Sequence, residues 1–484
     1  MLLLMTAGAL LVHGYHPYAE DAEIYLPGVE RILNPQLFPM GREFFQSHAH
    51  LTFFPNLIAL SVRVTRLPFD VALFSWHVAS IFLLLLACWQ LASLCFESSR
   101  ARWAAVGMVA ALLTLPVAGT ALYIMDQYLN PRNLAAFASV FAVARTLERK
   151  YVRALLWLVF AAAVHPMMWV YPFSFCALLI VMRRFETKLE ARAISEKFAV
   201  VASSLLLQFP LNPKSTPAYE VAARRHAYHY IQRWEWYEIL GLVAPIAVFW
   251  WFERIAQKKN WKNVQRLCRA LIIYDVVYII AALIIDLPAR FESLARLQPL
   301  RNLHLLYILL LVIGGGVLGE FVLKNRVWRW LALFLPLSVG MFLAQRALFP
   351  VSAVVEWPGA APKNPWAQAF LWVRANTPTN AVFSLDPDYM HAAGEEEIGF
   401  RSLAERSRMA DNVKDGGVVS MFPPLAEEWW TQVQAQRPWK DLTLENFEAL
   451  KAKYGVNWIL TQQPAPPGLE CPYQNAVVRV CRIP

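Results

Sequence analysis

His16-Pro17-Tyr18-Ala19-Glu20-Asp21-Ala22-Glu23-Ile24-Tyr25-Leu26-Pro27 sets three carboxylates, a histidine and two tyrosines directly behind an apolar run at residues 1–13. Grouped carboxylates beside hydrocarbon are costly to desolvate, so they persist where they face water or bind a partner. The run before them is shorter than the roughly 20 residues that a membrane span needs. It also lacks the basic start and the small-residue cleavage site of a leader. It reads as the end of a first span, and the acidic stretch as the start of an outer loop at residues 15–50.

Composition agrees with this reading. Of the 484 residues, 57% are hydrophobic, 17% are charged and 19 are Trp. Mean hydropathy is +0.37. A soluble domain carries about 25% charged residues, so the deficit points to a polytopic membrane protein. The net charge of +10 is uneven: from Val351 onward 12 basic and 15 acidic residues give −3, which leaves +13 on the part before it. A basic membrane part and a mildly acidic tail fit cytoplasmic positive loops and a domain on the far side. The positive charge needs no nucleic acid to explain it, and no P-loop or zinc-type CxxC pair is present.

Apolar segments follow the loop. Residues 51–67, broken by Pro55, Arg63 and Arg66, suit an interfacial or re-entrant helix. Spans are expected at 71–96, 103–123, 132–147, 152–164, 167–182, 198–209, 236–252, 270–285, 303–323 and 330–347, about eleven with the first. If they alternate, the clusters Arg100/Arg102, Arg145–Arg153, Arg183–Arg192, Arg254–Arg269 and Lys324–Arg329 all fall on one side. That side is the cytoplasm. The N-terminus is then cytoplasmic, and the acidic loop and everything after residue 349 are outside. The membrane part is 1–349, a Pro- and Ala-rich linker is 350–365, and 366–484 reads as a small α/β domain. There, helices are expected at 366–376, 426–436 and 444–454, and strands at 381–385, 456–461 and 476–482.

Several residues on the outer side could carry chemistry. Glu20 and Asp21 could take a proton from a hydroxyl or hold Mg2+ or Mn2+. Glu23, His16, Arg132 and His165 could share a cavity with them. Arg224, Arg225, Arg290 and Arg301 lie in outer loops, where positive residues are disfavoured, and guanidinium pairs bidentately with phosphate. The plainer readings are a solvated acidic loop, headgroup contacts for the arginines and interfacial histidines satisfied by backbone. Asn130-Pro131-Arg132 also has a plain reading as an N-cap followed by Pro at the first helical position. Cys88, Cys95, Cys176 and Cys268 read as reduced packing residues. Cys471 and Cys481 lie near the two ends of one expected strand and could pair in an oxidising compartment.

The layout resembles the GT-C-type glycosyltransferases: an acidic outer loop after the first span, an interfacial segment, many further spans and a C-terminal outer domain. Trp372-Val373-Arg374-x-Asn376-Thr377-Pro378-x-x-Ala381-Val382-Phe383 is similar to the start of the outer domain in bacterial proteins of that class. Tyr128-Leu129-Asn130-Pro131-Arg132 and His165-Pro166 resemble bacterial multi-spanning families. The resemblance implies an inner-membrane enzyme that takes a sugar from a polyprenyl-phosphate carrier and passes it to an acceptor. It gives Glu20 or Asp21 the role of base or metal ligand. The pair is Glu-Asp rather than Asp-Asp, and no DxD stands there. A transporter or flippase for a lipid-linked glycan, with no base, and a non-enzymatic scaffold are the alternatives.

Overall fold

The structure, a computed structural model, describes residues 1–185, 216–286, 294–462 and 464–484. Among these, six helices are long and apolar enough to cross a bilayer: Phe69–Cys95, Pro166–Arg184, Trp236–Lys259, Lys262–Asp286, Leu294–Leu323 and Val327–Leu348. Leu2–His13 and Tyr151–Val164 are apolar but shorter. The chain is a helical membrane protein, but the eleven spans expected from hydropathy are not reached. Two expected spans show why. The helix Ser99–Ala111 stops well short of residue 123, and residues 112–130 run as irregular backbone. Pro116 cannot donate to a helical ladder, and Ala118 and Ala121 take positive φ of 44° and 54°. Gly119 is required here, because a Cβ would come within 2.4 Å of the Trp234 ring. Next, Pro131–Leu147 is only 17 residues long, and all but one of them are buried. Its alanines let the neighbouring helices Phe69–Cys95 and Tyr151–Val164 close in, so it is an interior helix of the bundle rather than a lipid-facing one. The expected span 198–209 lies outside the described residues.

The acidic loop, residues 15–50, is not a loose excursion. It folds into Ala22–Leu33 and Glu43–Leu51, and the apolar stretch 51–67 that follows forms one helix, Phe54–Thr65. The C-terminal part carries a five-stranded sheet in the order β2-β1-β3-β5-β4. The strands are β1 Val382–Leu385, β2 Ser407–Arg408, β3 Trp458–Gln462, β4 Glu470–Gln474 and β5 Val478–Arg482. β1 runs parallel to β2 and β3, and β5 runs antiparallel to β3 and β4. Helices Pro365–Asn376, Ala426–Ala435 and Leu444–Tyr454 flank it, the last opened by a Thr443/Asn446 capping box and closed by Gly455 at φ 70°. Trp366, Phe370, Phe383, Tyr389 and Phe400 fill one side of the sheet. A disulfide joins Cys471 to Cys481. The two cysteines sit on neighbouring strands, β4 and β5, and not at the ends of one. The other four cysteines are free and buried.

Candidate functional site

The segment from Tyr15 to Asp21 is held by backbone hydrogen bonds on both sides. Tyr15 N–H donates to the Val354 carbonyl at 2.9 Å, and Glu356 N–H to the Tyr15 carbonyl at 3.0 Å. Gly399 N–H donates to the Tyr18 carbonyl at 2.7 Å, and Glu20 N–H to the Glu397 carbonyl at 2.8 Å. The acidic stretch is therefore stitched to residues 354–356 and to the C-terminal part at residues 397–399. Glu20 adopts φ 55°, an unfavourable conformation for a residue with a side chain, held by these bonds.

Glu20 and Asp21 open onto a cavity of about 530 Å3 between the helical bundle and the C-terminal part. Arg132, His165, Arg301 and Lys414 share its wall. Its size is that of a small-molecule site. Asn130 caps Pro131–Leu147 by accepting from Asn133 N–H at 3.0 Å, and its amide donates to Asp126 at 2.7 Å. Arg132 follows, donating from Nε to Asp126 at 2.9 Å, with Nη2 at 2.8 Å from Asp126 and 3.6 Å from Asp21. The plain capping reading of Asn130-Pro131 holds, and the same turn delivers Arg132 to the cavity. Arg301 ends the turn Pro299–Arg301, beside the Tyr228 ring at 5.8 Å. Among the described residues it has no carboxylate partner, and its buried Nε has no acceptor. His165 accepts from Met168 N–H at 3.4 Å and leaves Nε2 unpartnered. His48 and His226 also line the cavity, and burial pushes both down to about 4, so they are neutral at pH 7.

Lys414 is the residue that sequence reasoning missed. It stands at the start of helix Lys414–Met421, and its ammonium donates to Glu20 and lies 3.6 Å from Asp21 and 3.5 Å from Glu397. Burial alone would lower its pKa, but Glu20, then Asp21 and Glu397, hold it well above the usual lysine value. Burial alone would raise the Asp21 carboxyl, but Lys414, then Arg132 and Arg301, hold it below the usual carboxylate value. Glu397 goes the other way, raised to about 7 by burial and by the nearby Glu20. Glu20 is thus spent on a direct ion pair. Asp21 is stabilised as an anion by cations that stand off at 3.6 Å, which leaves its oxygens free to accept a proton.

The remaining expected residues lie elsewhere. Glu23 is fully buried away from the cavity, 2.9 Å from Arg408 Nε and 3.6 Å from Arg401, and accepts from Ser402 N–H at 3.1 Å. Arg401 in turn donates to both oxygens of Asp415 at 2.8 and 2.9 Å. Glu23 is a structural tie, not a cavity group. His16 faces a second cavity of about 500 Å3, stacked on Phe349 at 3.7 Å and 3.2 Å from Glu356. Arg224 and Arg225 do not reach the main cavity. Their helix, Pro217–Arg225, turns Ala218, Tyr219, Ala222 and Ala223 to the C-terminal part, which leaves the arginines on the exposed side. There Arg224 lies 3.4 Å from Glu220, and Arg225 lies 3.8 Å from Asp388. Arg290 lies outside the described residues.

The fit of a divalent metal to Glu20 and Asp21 is poor. A lysine ammonium already stands between their carboxylates. Among the described residues no group of three His, Cys, Asp or Glu side chains is placed to hold an ion. No protein-family model matches the chain, and no curated protein is significantly similar to it in sequence.

Proposed function

We propose that the chain is an integral membrane glycosyltransferase of the GT-C kind. It takes a sugar from a polyprenyl-phosphate carrier on the outer face of the inner (plasma) membrane and passes it to a hydroxyl of a lipid, glycan or protein. The observation that carries this reading is that Asp21 and Arg301 share one cavity at the outer ends of membrane helices. One is an ionised carboxylate with free oxygens, and the other is a guanidinium without a carboxylate partner among the described residues. In the proposed step Asp21 takes the acceptor proton as the acceptor oxygen bonds to the sugar C1. The bond from C1 to the phosphate oxygen breaks, and Arg301 neutralises the departing carrier phosphate. No metal is assigned to the step.

The proposed topology has a cytoplasmic N-terminus, with the acidic loop and the C-terminal domain outside. It counts nine spans when the two shorter apolar helices and residues 198–209 are added to the six long ones. Supporting it are the basic clusters, which alternate onto one side, and the Cys471–Cys481 disulfide, a bond of oxidising compartments.

The test is turnover of a panel of polyprenyl-phosphate hexoses and pentoses by full-length protein in nanodiscs. One donor should turn over, and Asp21→Asn should stop it. Donor binding without turnover in wild type would contradict the enzyme reading and favour a lipid-glycan carrier.

A further inference from the structure

We infer that Lys414 is the resident counter-cation of this site, its ammonium holding the position among Glu20, Asp21 and Glu397 that a divalent metal takes in other paired-carboxylate sites. The three carboxylates converge on one nitrogen from two separate parts of the chain: Glu20 in direct contact, Glu397 at 3.5 Å and Asp21 at 3.6 Å. An ammonium carries three donors and no acceptor, so one lysine can serve all three. Its position is also built. Lys414 is only 8% exposed, and the next residue, Asp415, is gripped by Arg401. Asp415 N–H donates to Asp411 at 2.8 Å, and the Asp411 carbonyl accepts from Trp429 Nε1 at 2.7 Å. A Cβ on Gly416 would stand 3.3 Å from the Trp429 ring, so the helix start lies close against that tryptophan. The stem of Lys414 therefore starts from a fixed point, and its head cannot leave without abandoning three half-buried carboxylates.

Two consequences follow. The outer domain is part of the site, because it supplies the cation. And Mg2+ or Mn2+ is excluded by occupancy, since a hard cation with six oxygen ligands needs the space the ammonium fills. The inference concerns the charge arrangement alone and stands whether or not the chain transfers a sugar.

The test is Mn2+ binding, read by electron paramagnetic resonance, to full-length protein in neutral phosphatidylcholine nanodiscs. Wild type should take up no Mn2+ at this site. Lys414→Ala should let the three carboxylates, which do not form a metal set as they stand, close on a cation and bind Mn2+ at least about tenfold more tightly than wild type, and adding Glu397→Gln should remove that binding. Lys414→Met, which keeps the stem's packing, should behave as Lys414→Ala does, and Lys414→Arg as wild type. A wild-type Mn2+ site that disappears in Glu20→Gln would overturn the inference. So would folded Lys414→Met that gains no Mn2+.

Discussion

Asp21 and Glu20 are neighbours in sequence, yet their surroundings give them different work. Glu20 touches Lys414, whereas Asp21 is ionised by cations at 3.6 Å and keeps free lone pairs. Asp21→Asn should therefore lower turnover by about 10²–10⁴-fold, the usual worth of a positioned base, with donor KM little changed. Steady-state kinetics in nanodiscs checks this, and an unchanged kcat would remove Asp21 from the mechanism. Arg301→Gln should raise donor KM by roughly 10- to 100-fold, because a hydrogen bond to a charged group is worth about 1.5–3 kcal/mol. Arg224→Ala and Arg225→Ala should leave it unchanged. Glu397 gives a pH dependence. Its pKa is raised to about 7 in the fold, so the folded state holds a proton that the unfolded chain has released. Its contribution to stability is full below about pH 4.5 and is lost as the pH rises through about 7. Glu397→Gln should flatten the thermal-stability profile over that window and stabilise the protein at pH 8 relative to wild type. Parallel profiles would contradict the assignment. The acidic loop was legible in the sequence because its carboxylates are contiguous. Lys414 was not, because its contact with Glu20 spans 394 residues and leaves no local pattern.

At the scale of elements, the helix Ala22–Leu33 and the helix Lys414–Met421 are fastened by one buried cluster, Glu23, Arg401, Arg408, Asp411 and Asp415. Removing one partner of such a cluster strands a buried charge, at a typical cost of about 3–5 kcal/mol. Glu23→Ala should therefore lower the thermal midpoint clearly, whereas Lys150→Ala, which loses an exposed pair with Glu148, should cost no more than about 1 kcal/mol. Equal effects in thermal unfolding would contradict the structural role given to Glu23. The helices of the C-terminal part were legible from caps and breakers such as Asn376-Thr377-Pro378 and Gly455. β4 was not. Its Pro472 argues against a strand, and the element is tolerated as an edge strand with a register irregularity. The span count failed for a related reason: hydropathy cannot separate an apolar helix facing lipid from one such as Pro131–Leu147, buried within the bundle.

At the scale of the whole molecule, the cavity lies where three parts meet: the acidic loop, one end of the helical bundle and the C-terminal part. The direct contacts between the loop and the domain put both on the same side of the membrane. Cysteines placed at the exposed positions Glu448 and Lys258 report this, since the four free native cysteines are buried. In intact cells an impermeant maleimide should label the Glu448→Cys protein and spare the Lys258→Cys protein. The reverse pattern would invert the proposed topology. The central claim is that a phosphate-linked sugar lies between Asp21 and Arg301, and its most direct test is electron cryo-microscopy of the Asp21→Asn protein in nanodiscs with the donor that wild type turns over. The account predicts phosphate density against the Arg301 guanidinium, the sugar turned toward position 21 and the prenyl chain leading to the bilayer. Donor density in the second cavity beside His16, or a phosphate held by Arg224 and Arg225, would contradict it.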